Sequence, residues 1–279
     1  MGLKAWIICL IISFAYYCTY ATGEYESIGG KSAGLGYTSV NQSDEWSAFN
    51  NQAGLAWCSK LSASLYVEKR FLLADLSQKA LAITLPVGRG AFGFSLRYFG
   101  FPQYSETNPG IAYGMRLTKR FAVGIQVDYL HLHIADGFKD NNVVSCEIGL
   151  QFRASEHLWL GLHVANPIPV KISSLTNDRL SSFIRFGLSW KISDELHFDS
   201  EVEKDITDNP VLKAGIEYRP ANHFYLRMGM LTSPTIITVG VGLEFGNIKF
   251  DLASSYHLIL GYSPQASVVY FFGKAKISK

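Results

Sequence analysis

From about Leu61 onward the chain alternates apolar side chains with polar or very small ones, and this period of two constrains its fold most. In residues 235–246, Ile237, Val239, Val241, Leu243 and Phe245 share one face, while Thr238, Gly240, Gly242 and Glu244 share the other. Successive side chains of an extended strand point to opposite faces of a sheet, so each such run reads as a strand. The pattern predicts about fourteen of them, near 61–70, 79–86, 90–101, 107–119, 121–134, 143–153, 156–165, 181–192, 195–206, 210–219, 223–231, 235–246, 248–258 and 264–273. Most are close to the length a tilted strand needs to cross a bilayer, about 9–11 residues.

The connections support a closed structure. Tight turns are expected at Lys119-Arg120, Ala154-Ser155, Ser193-Asp194, Gly246-Asn247, 220–222 and 87–89, with longer links at 72–78, 101–106, 135–142, 166–180 and 259–263. Outer-membrane barrels place short turns on the periplasmic side and longer loops outside, an asymmetry a soluble sandwich has no reason to keep. Charged residues make up only 17% of the chain, against a soluble average of about 25%. No stretch after residue 22 is long and apolar enough for a spanning helix. The expected fold is therefore all-β: a transmembrane antiparallel barrel, with lipid outside and an N-terminal plug or hatch within.

The first residues read as a secretory leader: Lys4, an apolar run over 5–17, then small residues and Thr19-Tyr20-Ala21 as a cleavage site. Four parts follow: a signal peptide at 1–22, a plug or hatch segment at 23–59, the barrel at 60–273 and a short tail at 274–279. The expected location is the outer membrane of a Gram-negative bacterium, with the lipid bilayer as a partner. A net charge of +2 without a basic run gives no footprint for nucleic acid. Cys58 and Cys146 are the cysteines beyond the leader, too few for a disulfide framework or a cysteine-based metal site, although a single bridge stays open. No metal or other cofactor is expected. Asp251, Ser255 and His257 share a face, but residues two apart on a strand lie nearly 7 Å from each other, so a hydrolytic relay is not expected and the chain reads as a non-enzyme.

One face of the strands carries the lipid wall, as with Leu158, Leu160, Leu162 and Val164 beside Ile184, Phe186, Leu188 and Trp190. Tyr129, Trp190, Tyr218 and Tyr262 suit the interfacial girdles. The opposite face is charged: Arg185, Lys191, Asp199, Glu201, Glu203, Lys213 and Glu217 form a candidate lumen network in which opposite signs on neighbouring strands pair. Inward glycines such as Gly93, Gly114, Gly124, Gly161, Gly187, Gly229, Gly240 and Gly242 leave room for a plug.

The N-terminal segment has its own pattern: Gly30-Lys-Ser-Ala-Gly-Leu-Gly36, Asp44-Glu-Trp-Ser-Ala48, with two helical turns expected over 44–51 behind Asp44 as N-cap, and Asn51-Gln-Ala-Gly-Leu-Ala56. With Arg185-Phe-Gly-Leu-Ser-Trp-Lys191, Gly215-Ile-Glu-Tyr218, Leu226-Arg-Met-Gly229 and Ser267-Val-Val-Tyr-Phe-Phe272, it resembles the PorV/PorQ-type outer-membrane proteins and their FadL-like relatives, nearer PorQ in size. Gln52 stands where that family has Pro, which implies a looser turn before the first strand. The resemblance implies support of type IX protein secretion or cargo attachment at the cell surface, with other outer-membrane or periplasmic secretion components and secreted cargo as partners. Its FadL-like side implies the alternative, a channel for uptake of hydrophobic small molecules. Either way residues 29–55 would be the hatch, seated by Asn50, Asn51, Ala53, Gly54 and Leu55.

Overall fold

The computed structural model describes residues 27–135, 140–172, 179–206 and 208–273; the leader and the tail at 274–279 lie outside the described residues. Fourteen antiparallel strands form one closed barrel. They are β1 (Ser62–Lys69), β2 (Ser77–Val87), β3 (Gly90–Phe101), β4 (Tyr104–Arg116), β5 (Phe121–Ile134), β6 (Asn141–Arg153) and β7 (Leu158–Ala165). The second half comprises β8 (Phe183–Lys191), β9 (Leu196–Asp205), β10 (Val211–Ala221), β11 (Phe224–Thr232), β12 (Thr235–Phe245), β13 (Ile248–His257) and β14 (Gly261–Phe271). Each strand pairs with its sequence neighbours, and β1 closes on β14 with Ser62 opposite Phe271 and Glu68 opposite Gln265. Closure removes the free edges that an open sheet would expose.

The expected alternation is built into the wall. Ile184, Phe186 and Trp190 are exposed on the outer face of β8, and each faces an apolar partner on β7: Val164, Leu162 and Leu158. Tyr129, Trp190, Tyr218 and Tyr262 also stand outward. Two connections differ: the expected longer link over 259–263 is a three-residue turn at 258–260, since β13 ends at His257 and β14 starts at Gly261. The expected link over 101–106 is a tight hairpin at Pro102-Gln103, because β3 runs to Phe101 and β4 starts at Tyr104. The first half of β4 lacks an apolar outer row, so its alternation was hidden from the sequence.

Among the described residues two short helices precede the barrel, α1 (Gly30–Gly34) and α2 (Ser47–Asn50), followed by a 3₁₀ helix at Gln52–Trp57. The helix expected over 44–51 is thus shorter, and Trp46 rather than Asp44 is its N-cap. Asp44 instead closes a turn, its Oδ1 accepting from Trp46 N at 3.0 Å. Cys58 and Cys146 are both free.

Candidate functional site

Residues 27–57 lie inside the barrel and travel around its inner wall. α1 rests against β12 and β13, Leu35 and Gly36 against β10 and β11, Val40 and Asn41 against β7 and β8, and the 3₁₀ helix against β4, β5 and β6. The wall makes space with a belt of inward glycines. A Cβ on Gly229 would sit 2.1 Å from Gly36 N, one on Gly215 2.5 Å from Leu35 O, and one on Gly187 2.2 Å from a Val40 methyl. On the opposite side, a Cβ on Gly124 would meet Gln52 C at 2.3 Å, and one on Gly149 would meet Asn51 Oδ1 at 2.0 Å. The belt is continuous across the sheet where Gly114 faces Gly124, Gly124 faces Gly149, and Gly215 faces Gly229. The sequence shows Gly114, Gly124, Gly187 and Gly229 as spare room and does not single out Gly149 and Gly215; that all six form a track for the backbone of one segment emerges only from the register.

The seating residues divide into two kinds. Asn50 is fully buried and ties the segment to itself, accepting from Ile28 N at 3.0 Å and donating to Ile28 O at 2.9 Å. Asn51 reaches the wall: its Nδ2 donates to Val40 O at 2.7 Å, while Leu150 O and Leu162 O lie at 3.2 and 3.3 Å. Its Oδ1 accepts from Ala53 N at 3.1 Å, capping the 3₁₀ helix. Gly54 is packed against Ser47 so closely that a Cβ would lie 2.4 Å from Ser47 Oγ. Leu55 fills a pocket of Ala48, Ala91 and Ala112. Gln52 does not loosen the turn: it is fully buried, and its amide donates to Glu147 Oε2 at 2.6 Å. Glu147 also meets His163 at 2.9 Å.

The expected lumen network is present in part. Arg185, Glu201, Glu203 and Lys213 form one cluster, with Lys213 Nζ 2.8 Å from Glu203 and 3.3 Å from Glu201. Glu201 also accepts from Ser39 N at 2.8 Å and Val40 N at 2.9 Å, so it holds the segment as well as the wall. Glu217 belongs to a second cluster, in which Arg227 bridges it to Asp251 and Lys31 approaches it at 3.8 Å. Asp199 is buried but pairs with the Ser189 hydroxyl rather than with a cation. Lys191 stands at the end of β8 and pairs with Asp194 across the turn, outside the network. Its hydrogen bond holds the Asp194 carboxyl below the ordinary carboxylate range. The imagined relay is dispersed: Asp251 binds Arg227, Ser255 bonds Tyr37, and His257 accepts from the backbone of the β13–β14 link.

One patch of the interior is apolar, set among buried polar side chains of the same strands such as Ser64, Glu68 and Gln265. Tyr66 of β1, Ala80 and Ala82 of β2 and Val269 of β14 face Ile28, Trp46 and the half-buried Phe49 of the segment. Trp46 meets Tyr66 edge-on, with ring centroids 6.0 Å apart. Outside the same strands lies an apolar groove of about 660 Å³, lined by Leu65, Val67, Leu81, Ala266, Val268 and Leu252 among others. Beside the segment, a cavity of about 20 Å³ between Ile28, Phe49, Arg97, Asp128 and Glu147 has room for a single water. At the end of the barrel with the longer links, Val170, Ile172 and Leu180 of the β7–β8 link fold onto the inward Leu130 and Val143. These inner and outer apolar surfaces were missed from sequence, since they depend on which small residues coincide across strands.

Comparison with known proteins bears on the fold. The barrel is similar to the toluene transporter TbuX of Ralstonia pickettii, with 14% sequence identity, a TM-score of 0.68, and 91% of this chain and 100% of that one covered. It is also similar to the toluene transporter TodX of Pseudomonas putida, with 12% identity, a TM-score of 0.68, and coverage of 88% and 98%. A FadL homologue of Pseudomonas aeruginosa matches with 12% identity and a TM-score of 0.63, covering 87% of this chain and 98% of its own. No family model and no curated protein sequence matches the chain. The fold is therefore that of FadL-like outer-membrane barrels, and no sequence match singles out the PorV/PorQ branch of the resemblance.

Proposed function

We propose that this protein sits in a Gram-negative outer membrane and conducts hydrophobic small molecules, with residues 27–57 acting as the hatch. The observation that carries this reading is the coincidence of two apolar surfaces on the same strands. Inside β14, β1 and β2, the hatch contacts are Ile28, Trp46 and Phe49 on Tyr66, Ala80, Ala82 and Val269. Outside those strands lies the apolar groove. A hydrophobic solute leaving an aqueous loop region gains from each apolar contact along such a path, about 25 cal/mol per Å² removed from water. The toluene transporters with the same fold favour this reading over secretion.

A tether tests it. A Cβ on Gly93 would lie 2.9 Å from the Ala48 Cβ, inside the roughly 3.5–4.5 Å that a disulfide spans, so a small backbone shift admits the bridge. In a background with Cys58 and Cys146 replaced by Ser, the pair Ala48→Cys and Gly93→Cys fixes the hatch to β3. Proteoliposomes are expected to take up toluene saturably when the pair is reduced and to lose uptake when it is oxidised. Equal uptake in both states refutes a moving hatch, and no saturable uptake in either refutes the channel.

A second reading draws on the ionic packing. The charge clusters of β8–β13 suit a rigid scaffold for type IX secretion better than an open conduit. Under it, deletion of the gene impairs delivery of surface cargo while toluene uptake is unchanged.

A further inference from the structure

The outer groove has a charged end. Lys79 lines it, and Lys69 follows two residues beyond Val67 on the same outer face of β1. The register sets Val67 opposite Lys79 and Lys69 opposite Ser77, so the two lysines are diagonal neighbours, about 7–8 Å apart at Cα. Both are exposed, near the end of the barrel that carries the longer links. Lys79 Nζ stands 5.9 Å from the centroid of the Tyr98 ring. The outward positions of β1, β2, β3, β13 and β14 hold no carboxylate, and among the described residues neither lysine has an acidic partner. A cation on a lipid-facing wall costs little at the interface and about 2–4 kcal/mol at the midplane, so a pair held there without carboxylates matches an anionic head group.

From this we infer that the groove binds a phosphate-bearing lipid of the bilayer. Its phosphate lies between Lys69 and Lys79, and one acyl chain runs down past Leu81, Leu65 and Val67 onto the floor at Ala266. Ala266 is what makes the depression: it faces Val67 on one side and Leu252 on the other, so a small side chain stands between two larger ones. A volume of about 660 Å³ is in the range of small-molecule sites, about 300–1,000 Å³. The site needs a barrel facing lipid; it does not need the hatch to move or the lumen to conduct.

The test uses the full chain in dodecyl maltoside, with binding followed by native mass spectrometry. Three probes separate head from tail: dimyristoyl phosphatidic acid, dimyristoylglycerol with the same chains and no phosphate, and inorganic phosphate with no chains. Phosphatidic acid is expected to bind at least tenfold more tightly than dimyristoylglycerol, and millimolar phosphate is expected not to displace it. Lys79→Gln and Lys69→Gln should each weaken it roughly fivefold, the effect of removing one lysine from an anionic surface. Ala266→Trp should fill the groove and weaken both lipids. Equal binding of the two lipids, or phosphatidic acid binding that neither lysine variant changes, overturns the proposal. Displacement by inorganic phosphate also overturns it, because the acyl chain would then contribute nothing. The lysine variants are exposed and leave the fold intact, so they decide the matter even where the Trp variant does not assemble. Lipid binding is read without transport, and the tether experiment on the hatch changes neither lysine, so failure of this site and failure of the channel are told apart.

Discussion

Asn51→Ala isolates how firmly the internal segment is seated. In the folded protein, Asn51 caps Ala53 N, donates to Val40 O, and shares its second amide hydrogen between Leu150 O on β6 and Leu162 O on β7. Each net hydrogen bond contributes about 0.5–1.5 kcal/mol, and a buried donor left without a partner costs about 1–3 kcal/mol. Val40 O keeps a second bond, from Gln151 Nε2 at 3.1 Å, so its loss is cushioned. Ala53 N has no such reserve. The sum is about 2–4 kcal/mol, which raises the opening equilibrium of the segment roughly 30- to 700-fold. Hydrogen exchange in detergent reads this as faster exchange across 40–57, with the strands unchanged. Asn50→Ala is the control: its two bonds go to Ile28, so exchange should rise near 27–30 and not at the wall seat. Protection over 40–57 that changes less than threefold in Asn51→Ala refutes the idea that this side chain seats the segment.

Other substitutions probe the remaining contacts. Gly149→Val places a Cβ 2.0 Å from Asn51 Oδ1, so its exchange profile over 40–57 should match that of Asn51→Ala. Arg227→Met leaves Glu217 and Asp251 buried with only the distant Lys31 at 3.8 Å and Lys249 at 3.9 Å, and should cost about 3–5 kcal/mol in a urea unfolding midpoint. Trp57→Ala removes the stack under Arg153, whose guanidinium lies 3.6 Å from the ring centroid, and should cost about 0.5–1 kcal/mol. Faster trypsin cleavage after Lys60 is the readout.

The wall was legible because a lipid-facing strand must show one apolar side, and that requirement writes itself as a period of two. It failed where the requirement lapses. Ser105 occupies an outward position of β4, within the stretch 101–106 that reads as a loop in the sequence, and Thr107 beyond it opens the expected strand with a second polar outward residue. The lumen was legible residue by residue but not as a network, since pairing depends on register. Lys191 shares the alternation of Arg185 yet falls at the strand end, where Asp194 is nearer than any carboxylate on β9. The short helix at Gly30–Gly34 had no local signal at all, because glycine disfavours helix by about 1 kcal/mol per residue. Its support comes from the wall: Gly30 N donates to Ser267 Oγ at 3.2 Å, and Gly34 O accepts from Thr238 Oγ1 at 3.1 Å.

The inner contacts are unequal around the barrel, and that inequality says where the segment would part from the wall first. From β6 to β12 it is held by directional bonds: Asn51 to two strand carbonyls, Glu201 to Ser39 and Val40, and Thr238 to Gly36 N at 2.8 Å. Against β14, β1 and β2 it makes the apolar contacts of Ile28, Trp46 and Phe49, together with two hydrogen bonds to β14, from Gly30 N to Ser267 Oγ and from Gln265 Nε2 to the Tyr37 hydroxyl. Directional bonds lose most of their energy within a short displacement, whereas apolar contacts can slide and be replaced by another apolar molecule. Trp46 Nε1 is buried without a hydrogen-bond partner among the described residues, so nothing polar pins that ring in place. On the proposed channel reading, a hydrophobic solute arriving at this sector replaces Trp46 and Phe49 like for like. The same solute at Glu201 would have to strand a carboxylate held by Lys213. On the same reading, the patch of Tyr66, Ala80, Ala82 and Val269 is where a path through the barrel costs least, passing beside the buried Glu68 of β1, and the external groove lies on the same strands.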